Sequence, residues 1–112
     1  MRLYFGNRYP ARLWVCLDFY DPENCAQYGG WKNRGWWAID PGNVAYVLNT
    51  SYRNVYFYAE AADGAVWSGP YGPVPVYQRA FDDCNLGTGS ERFVYTRHIE
   101  VRSDSHTVNL IP

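Results

Sequence analysis

Leu13–Trp14–Val15–Cys16–Leu17–Asp18–Phe19–Tyr20 is the stretch that decides the fold. Leu13, Val15, Leu17 and Phe19 fall on one face of an extended chain, and Trp14, Cys16, Asp18 and Tyr20 on the other. A strand turns successive side chains to opposite faces, whereas a helix would not separate the two sets. Residues 54–61 repeat the pattern, with Val55, Phe57, Ala59 and Ala61 together on the inner face.

Outward from these two segments, short strands alternate with turn formers. Residues 2–5 open the chain as a strand, and the loop of residues 21–30 runs from Asp21-Pro22 to Gly29-Gly30. Residues 35–40 and 44–48 flank Pro41-Gly42, which suits a type II turn and predicts a hairpin. Asp63-Gly64 predicts a second hairpin, into residues 65–67. Pro75 places the strand of residues 74–81 at a sheet edge or makes it irregular. Residues 91–101 put Phe93, Tyr95, Ile99 and Val101 on one face, and residues 107–111 turn Val108 and Leu110 inward. Nothing reads as a long helix. The expectation is one all-β domain, an antiparallel β-sandwich of about seven to nine short strands, with a partly closed β-barrel as the alternative. Its core would comprise Leu3, Phe5, Leu13, Val15, Leu17, Phe19, Trp37, Ile39, Val44, Tyr46, Leu48, Val55, Phe57, Phe93, Ile99, Val108 and Leu110.

Composition narrows the function classes. A length of 112 residues fits one domain, and 47% hydrophobic against 19% charged residues is a globular balance. A net charge of −1 with no run of Lys or Arg argues against nucleic-acid binding, which needs clustered cations. No apolar stretch approaches the length of a membrane span. No secretory leader opens the chain, which fits either a cytoplasmic protein or a secreted one whose leader has been removed. Cys16, Cys25 and Cys84 lack metal-site spacing. Cys16 reads as a packed strand residue, while Cys25 and Cys84 lie in turn-rich stretches where a disulfide is one of the open alternatives.

Several segments together resemble a known family. Leu3-Tyr4-Phe5-Gly6-Asn7, Gly35-Trp36-Trp37-Ala38-Ile39-Asp40-Pro41-Gly42, Tyr56-Phe57-Tyr58-Ala59-Glu60-Ala61, Trp67-Ser68-Gly69 and Thr107-Val108-Asn109-Leu110 are similar to the bacterial family DUF1036. The family pattern often places a cysteine just after the Pro-Gly turn, where this chain has Asn43-Val44, so no disulfide is carried over. The resemblance implies a bacterial, self-contained β domain. It implies no substrate, cofactor or catalytic residue.

Aromatic residues make up 19% of the chain, with eleven Tyr and five Trp. Periodicity turns Trp14, Tyr20, Trp36, Tyr56 and Tyr58 away from the core, and Gly29-Gly30 sets Trp31 in a loop. Such rings can anchor a protein interface or stack on sugars, unless other elements cover them. Asp18, Asp21 and Glu23 form a weak calcium candidate that lacks the EF-hand pattern, and turn chemistry is the usual role of such residues after a strand. His98 and His106, on strands expected to be adjacent, have no third zinc ligand. Gly87-Thr88-Gly89-Ser90 lacks the Lys and the helix of a phosphate loop and reads as a turn.

These residues point to a non-catalytic module that binds through an aromatic face, to a protein partner or to copies of itself as a homo-oligomer. A glycan is the alternative ligand. A small hydrolase built on Asp18, Asp21 and Asp82 is the third reading. No cofactor is expected.

Overall fold

The computed structural model describes residues 1–85, 90 and 92–112, so the Gly87-Thr88-Gly89 stretch and Glu91 lie outside the described residues. The chain is all-β. Ten strands are present among the described residues: β1 (Arg2–Asn7), β2 (Leu13–Tyr20), β3 (Trp31–Ile39), β4 (Val44–Asn49), β5 (Asn54–Ala61), β6 (Val66–Trp67), β7 (Tyr71–Val76), β8 (Phe81–Cys84), β9 (Arg92–Glu100) and β10 (Ser105–Leu110). A short helix, α1 (Pro22–Cys25), and a 3-10 turn (Ala26–Tyr28) join β2 to β3. No helix among the described residues is long and apolar enough to cross a membrane.

The strands form two sheets. A small sheet has the order β10-β1-β4, and a large one runs β7-β9-β5-β2-β3-β8, with β6 pairing β5. All pairs are antiparallel except β1–β10, where the two ends of the chain run side by side in parallel. The small sheet packs on the middle of the large one. Leu3 and Phe5 meet Leu13, Val15, Leu17, Val55 and Phe57 in one buried cluster, with the Phe5 and Phe57 rings edge to face at 5.0 Å. This is the sandwich that β2 and β5 predict from their alternation.

Three expected core residues are exposed instead: Val44, Tyr46 and Phe93. In β4 the cause is a register shift against β1, where Leu3 faces Leu48 but Tyr4 faces Tyr46. The extra residue, Val47, turns inward beside Leu48, so Val44 and Tyr46 swing outward and Ala45 packs on the core. Phe93 shares its face with Ile99, but only Ile99 and Val101 reach the covered core. The Pro41-Gly42 turn is also not a hairpin, because β3 belongs to the large sheet and β4 to the small one. Gly42 supplies a φ of 84°, and its N–H donates to the Asn7 carbonyl on β1, so the turn is a corner between sheets.

The large sheet curls. Its edge strands β7 and β8 are consecutive in the chain and joined only by residues 77–80. Six flat strands would hold these edges about 24 Å apart, whereas the connection reaches about 17 Å at full stretch. The sheet therefore bends toward a half-barrel and brings β7 over β3. The Trp36 indole Nε1 donates to the Tyr77 carbonyl at 2.7 Å, and Asn33 Nδ2 donates to the Pro75 carbonyl. A second buried cluster, Cys16, Tyr58, Val76, Tyr77, Phe81 and Val94 with Trp36 against it, fills the concavity. Gly35 is required there, since an added Cβ would stand 2.8 Å from Cys16 Cβ. Both expected architectures thus occur in one molecule: a sandwich on one face of the large sheet and a partly closed barrel on the other.

Asn7 ties the corner together. It is 1% exposed, and its Nδ2 donates to the carbonyls of Ala11 and Ile39 at 2.9 and 2.8 Å, while Oδ1 accepts from the Tyr9 N–H at 2.8 Å. Asn7→Ala would leave those three groups unpaired in or near the core. We expect a stability loss of about 2–4 kcal/mol, read by urea denaturation. A loss below about 0.5 kcal/mol would show that the network carries no weight.

Candidate functional site

The aromatic residues that periodicity turns away from the sandwich core lie on the concave side of the curled sheet. They are not a flat open display. Tyr58 is buried in the second cluster, and Trp14, Tyr20, Trp31, Trp36 and Tyr56 are each half-buried. The cause is topological: β7 and the residues after it cover the centre of that face. Trp31 is also not in a loop. It opens β3, paired with Tyr20 across the β2–β3 ladder.

The rings divide into two groups around the buried centre. At one end, Trp36 meets Tyr58 and Phe81 edge to face. The Arg92 guanidinium lies over Trp36 and Tyr58, at 5.6 and 6.0 Å from the ring centroids, and pairs with Glu60 at 2.6 Å. Trp14, Trp36, Glu60 and Gln78 line a cleft of about 240 Å³ here. Burial and the neighbouring Glu60 raise the Tyr58 hydroxyl above its ordinary pKa, so it stays protonated and able to donate to Glu60.

At the other end the rings form a continuous chain. Tyr52 meets Tyr20 at 4.9 Å, Tyr20 meets Trp31 at 5.5 Å, Trp31 meets Tyr56 at 5.7 Å, and Tyr56 meets Tyr71 at 5.3 Å. His98 closes the end against Tyr56 and Tyr71, with its Nε2 bonded to Asn54 Oδ1 at 2.8 Å. The contacts are tilted or edge to face, the geometry in which ring edges and faces attract. Each ring holds the next, so the chain is set before any ligand arrives. Its two ends, Tyr52 and Tyr71, are exposed. Tyr20, Trp31, Tyr52, Arg53 and Asn54 line a cleft of about 230 Å³. Tyr52, Tyr71, Arg53 and Asn54 were not among the expected site residues. They come from two places far apart in the chain, the turn into β5 at residues 52–54 and the start of β7 at Tyr71, and no local period links the two.

The loop carboxylates do not converge. Asp18 accepts from Asn85 Nδ2 at 2.8 Å, while Asp21 accepts from Asn24 and lies 3.7 Å from Lys32. Glu23 is exposed on α1. Among the described residues no three His, Cys, Asp or Glu side chains stand close enough to hold an ion, and the calcium candidate Asp18, Asp21 and Glu23 forms no such group. Asp82 is engaged by Lys32 at 2.9 Å and Arg34 at 3.1 Å, so it does not join Asp18 in a pair of acids. His98 and His106 lie in different sheets. Cys25 and Cys84 form a disulfide, with Cα atoms 5.5 Å apart, that pins α1 to β8. Cys16 is free and buried, and burial pushes its thiol well above the ordinary value, so it is not a nucleophile at neutral pH.

In comparisons with known proteins, no family model, curated protein or solved structure matches the chain.

Asp18 has a measurable signature. It is 8% exposed, and desolvation raises its carboxyl to about 6, with the Asn85 hydrogen bond pulling the other way. The folded chain therefore holds this proton more tightly than the unfolded chain. Its contribution favours folding at low pH and is lost as pH rises through about 6. Asp18→Asn keeps an acceptor for Asn85 without the charge. We expect it to be more stable than the parent at pH 7 by about 1–3 kcal/mol, with the difference vanishing below about pH 4. Denaturation curves across that range measure it, and a variant less stable than the parent at pH 7 contradicts the assignment.

Proposed function

We propose that the domain is a non-catalytic binding module that holds a partner protein through the ring chain Tyr52–Tyr20–Trp31–Tyr56–Tyr71. The observation that carries this reading is the chain of tilted and edge-to-face rings itself, half-buried along its middle and exposed at both ends. Interfaces concentrate their energy in Trp, Tyr and Arg anchors that are already ordered, and this stripe supplies all three, with Arg53 beside Tyr52. Sugar stacking asks for flat, free ring faces, whereas these rings spend their faces on one another. A glycan therefore ranks second, supported by the cleft at Trp31 with its Arg53 and Asn54 donors. The DUF1036 resemblance supports a bacterial β domain in this reading and brings no activity to it.

A photo-crosslinking residue at Tyr52 or Tyr71, introduced in the host cell, tests the proposal. Both positions should capture the same protein, Trp31→Ala should abolish capture, and a probe at Val44 on the small sheet should capture nothing. Equal labelling from Val44, or capture unaffected by Trp31→Ala, would refute it. Saturable quenching of tryptophan fluorescence by an oligosaccharide, lost in Trp31→Ala, would transfer the site to the glycan reading.

A further inference from the structure

The small sheet leaves the large one uncovered on both flanks, and the two flanks differ in chemistry. Beyond β4, the inner face of the large sheet carries Lys32, Arg34 and Asp82, joined in salt bridges, with the Arg34 guanidinium over the Phe19 ring. Charges of this kind suit a face that stays in water. Beyond β10 the face exposes large apolar side chains with Arg97 among them. The row Phe93–Tyr95–Arg97–Ile99 on β9 runs from open surface into the core, with Phe93 57% and Tyr95 51% exposed. Val66 on β6 and Ile111 after β10 are also more than half exposed. Val66 and Ile111 line a groove of about 660 Å³ with Trp67, Ile99 and Val108, and Arg97, His98, Glu100 and His106 add polar groups to its wall.

β10 borders that groove as an edge strand, since among the described residues it pairs only with β1. Free edges in native proteins are usually blunted by charges, proline or brevity. The other edges are each blunted in some way: β7 contains Pro73 and Pro75, β8 has four residues with Asp82 and Asp83 among them, and β4, as free of charge and proline as β10, is broken by the bulge at Val47. Ser-His-Thr-Val-Asn-Leu in β10 has neither Lys, Arg, Asp, Glu nor Pro.

The backbone shows which groups are free. The carbonyls of Asp104 and Leu110 accept from the N–H groups of Arg2 and Arg8, so even-numbered residues of β10 face β1. Odd-numbered residues face away from it. Among these, the Ser105 carbonyl accepts from the Ser103 hydroxyl at 2.8 Å, and the Ile111 carbonyl accepts from Trp67 Nε1 at 3.1 Å. The open edge therefore lies between these two anchors, where Thr107 and Asn109 turn their N–H and carbonyl groups away from β1.

We infer that two copies of this chain pair antiparallel through β10, with the two-fold axis at Thr107, to form a continuous six-stranded sheet. In this register Thr107 faces Thr107 of the second copy, Ser105 faces its Asn109, and His106 faces its Val108. Opposed residues then lie on matching faces: Ser105, Thr107 and Asn109 outward, and His106, Val108 and Leu110 inward. The strand satisfies its own pairing rule, which an isologous interface requires. The apolar row at Phe93 and Tyr95 is covered by the sheet that the second copy extends. This interface is separate from the ring chain and stands whether or not that reading does.

Sedimentation equilibrium of the purified chain over a micromolar-to-millimolar range tests the inference. The parent should reach twice its monomer mass. Thr107→Lys, which sets like charges opposite each other on the axis, should weaken association at least about tenfold. Thr107→Pro should do the same while sparing the β1 ladder, because it removes only an N–H that faces away from β1. Circular dichroism and thermal melting should show both variants folded, and Trp31→Ala should leave the dimer intact. A parent that stays monomeric throughout, or a dimer equally tight in folded Thr107→Lys and Thr107→Pro, would overturn it.

Discussion

The four-residue link between β7 and β8 is the constraint on which the rest of the molecule depends. It ties together the two edges of a six-strand path, and the sheet can comply only by curling. One side of that sheet becomes a sandwich face under β1, and the other becomes the lining of a half-barrel. The curl gives the aromatic residues their environment. Trp36 and Tyr58 at the centre are covered by β7 and Tyr77, whereas Tyr52 and Tyr71 remain at the rim.

Coverage of the centre has a chemical consequence. A flat aromatic face would offer every ring to solvent and to any planar ligand. The curled one spends its central rings on a second core and leaves an edge-linked chain at one mouth and an Arg92–Glu60 pair over Trp36 at the other. The disulfide between Cys25 and Cys84 acts on the same seam, since it fixes the segment before Trp31 to the outer edge of β8. The Lys32 and Arg34 contacts with Asp82 align that edge from the opposite face.

Much of this was readable in the sequence, and the failures have physical causes. The β2 and β5 strands are central, with both faces committed, so their two-residue alternation is clean and their inner residues are buried. The Asp63-Gly64 turn joins β5 to β6 as an antiparallel hairpin, with Gly64 at a φ of 93°. Pro75 does mark an edge strand. β4 misled because one bulged residue, Val47, shifts the phase without any signal in composition. β3 begins at Trp31, before the strand that residues 35–40 indicate; Lys32, Asn33 and Arg34 give no apolar signal, yet Asn33 is buried where the curl closes and bonds to Pro75. The covering of the aromatic face was the largest miss. It arises from strand order, in which β7 and β8 sit at opposite edges, and no local pattern encodes strand order.

Closure of the curled sheet can be read directly from the five tryptophan indoles by NMR hydrogen exchange. Among the described residues only Trp36 and Trp67 donate their Nε1–H to backbone carbonyls, those of Tyr77 and Ile111. The account predicts slow exchange at both and fast exchange at Trp31, whose ring lies at the open mouth. Trp36 exchanging as fast as Trp31 would mean that β7 does not close over the sheet, and the concave aromatic site would not exist.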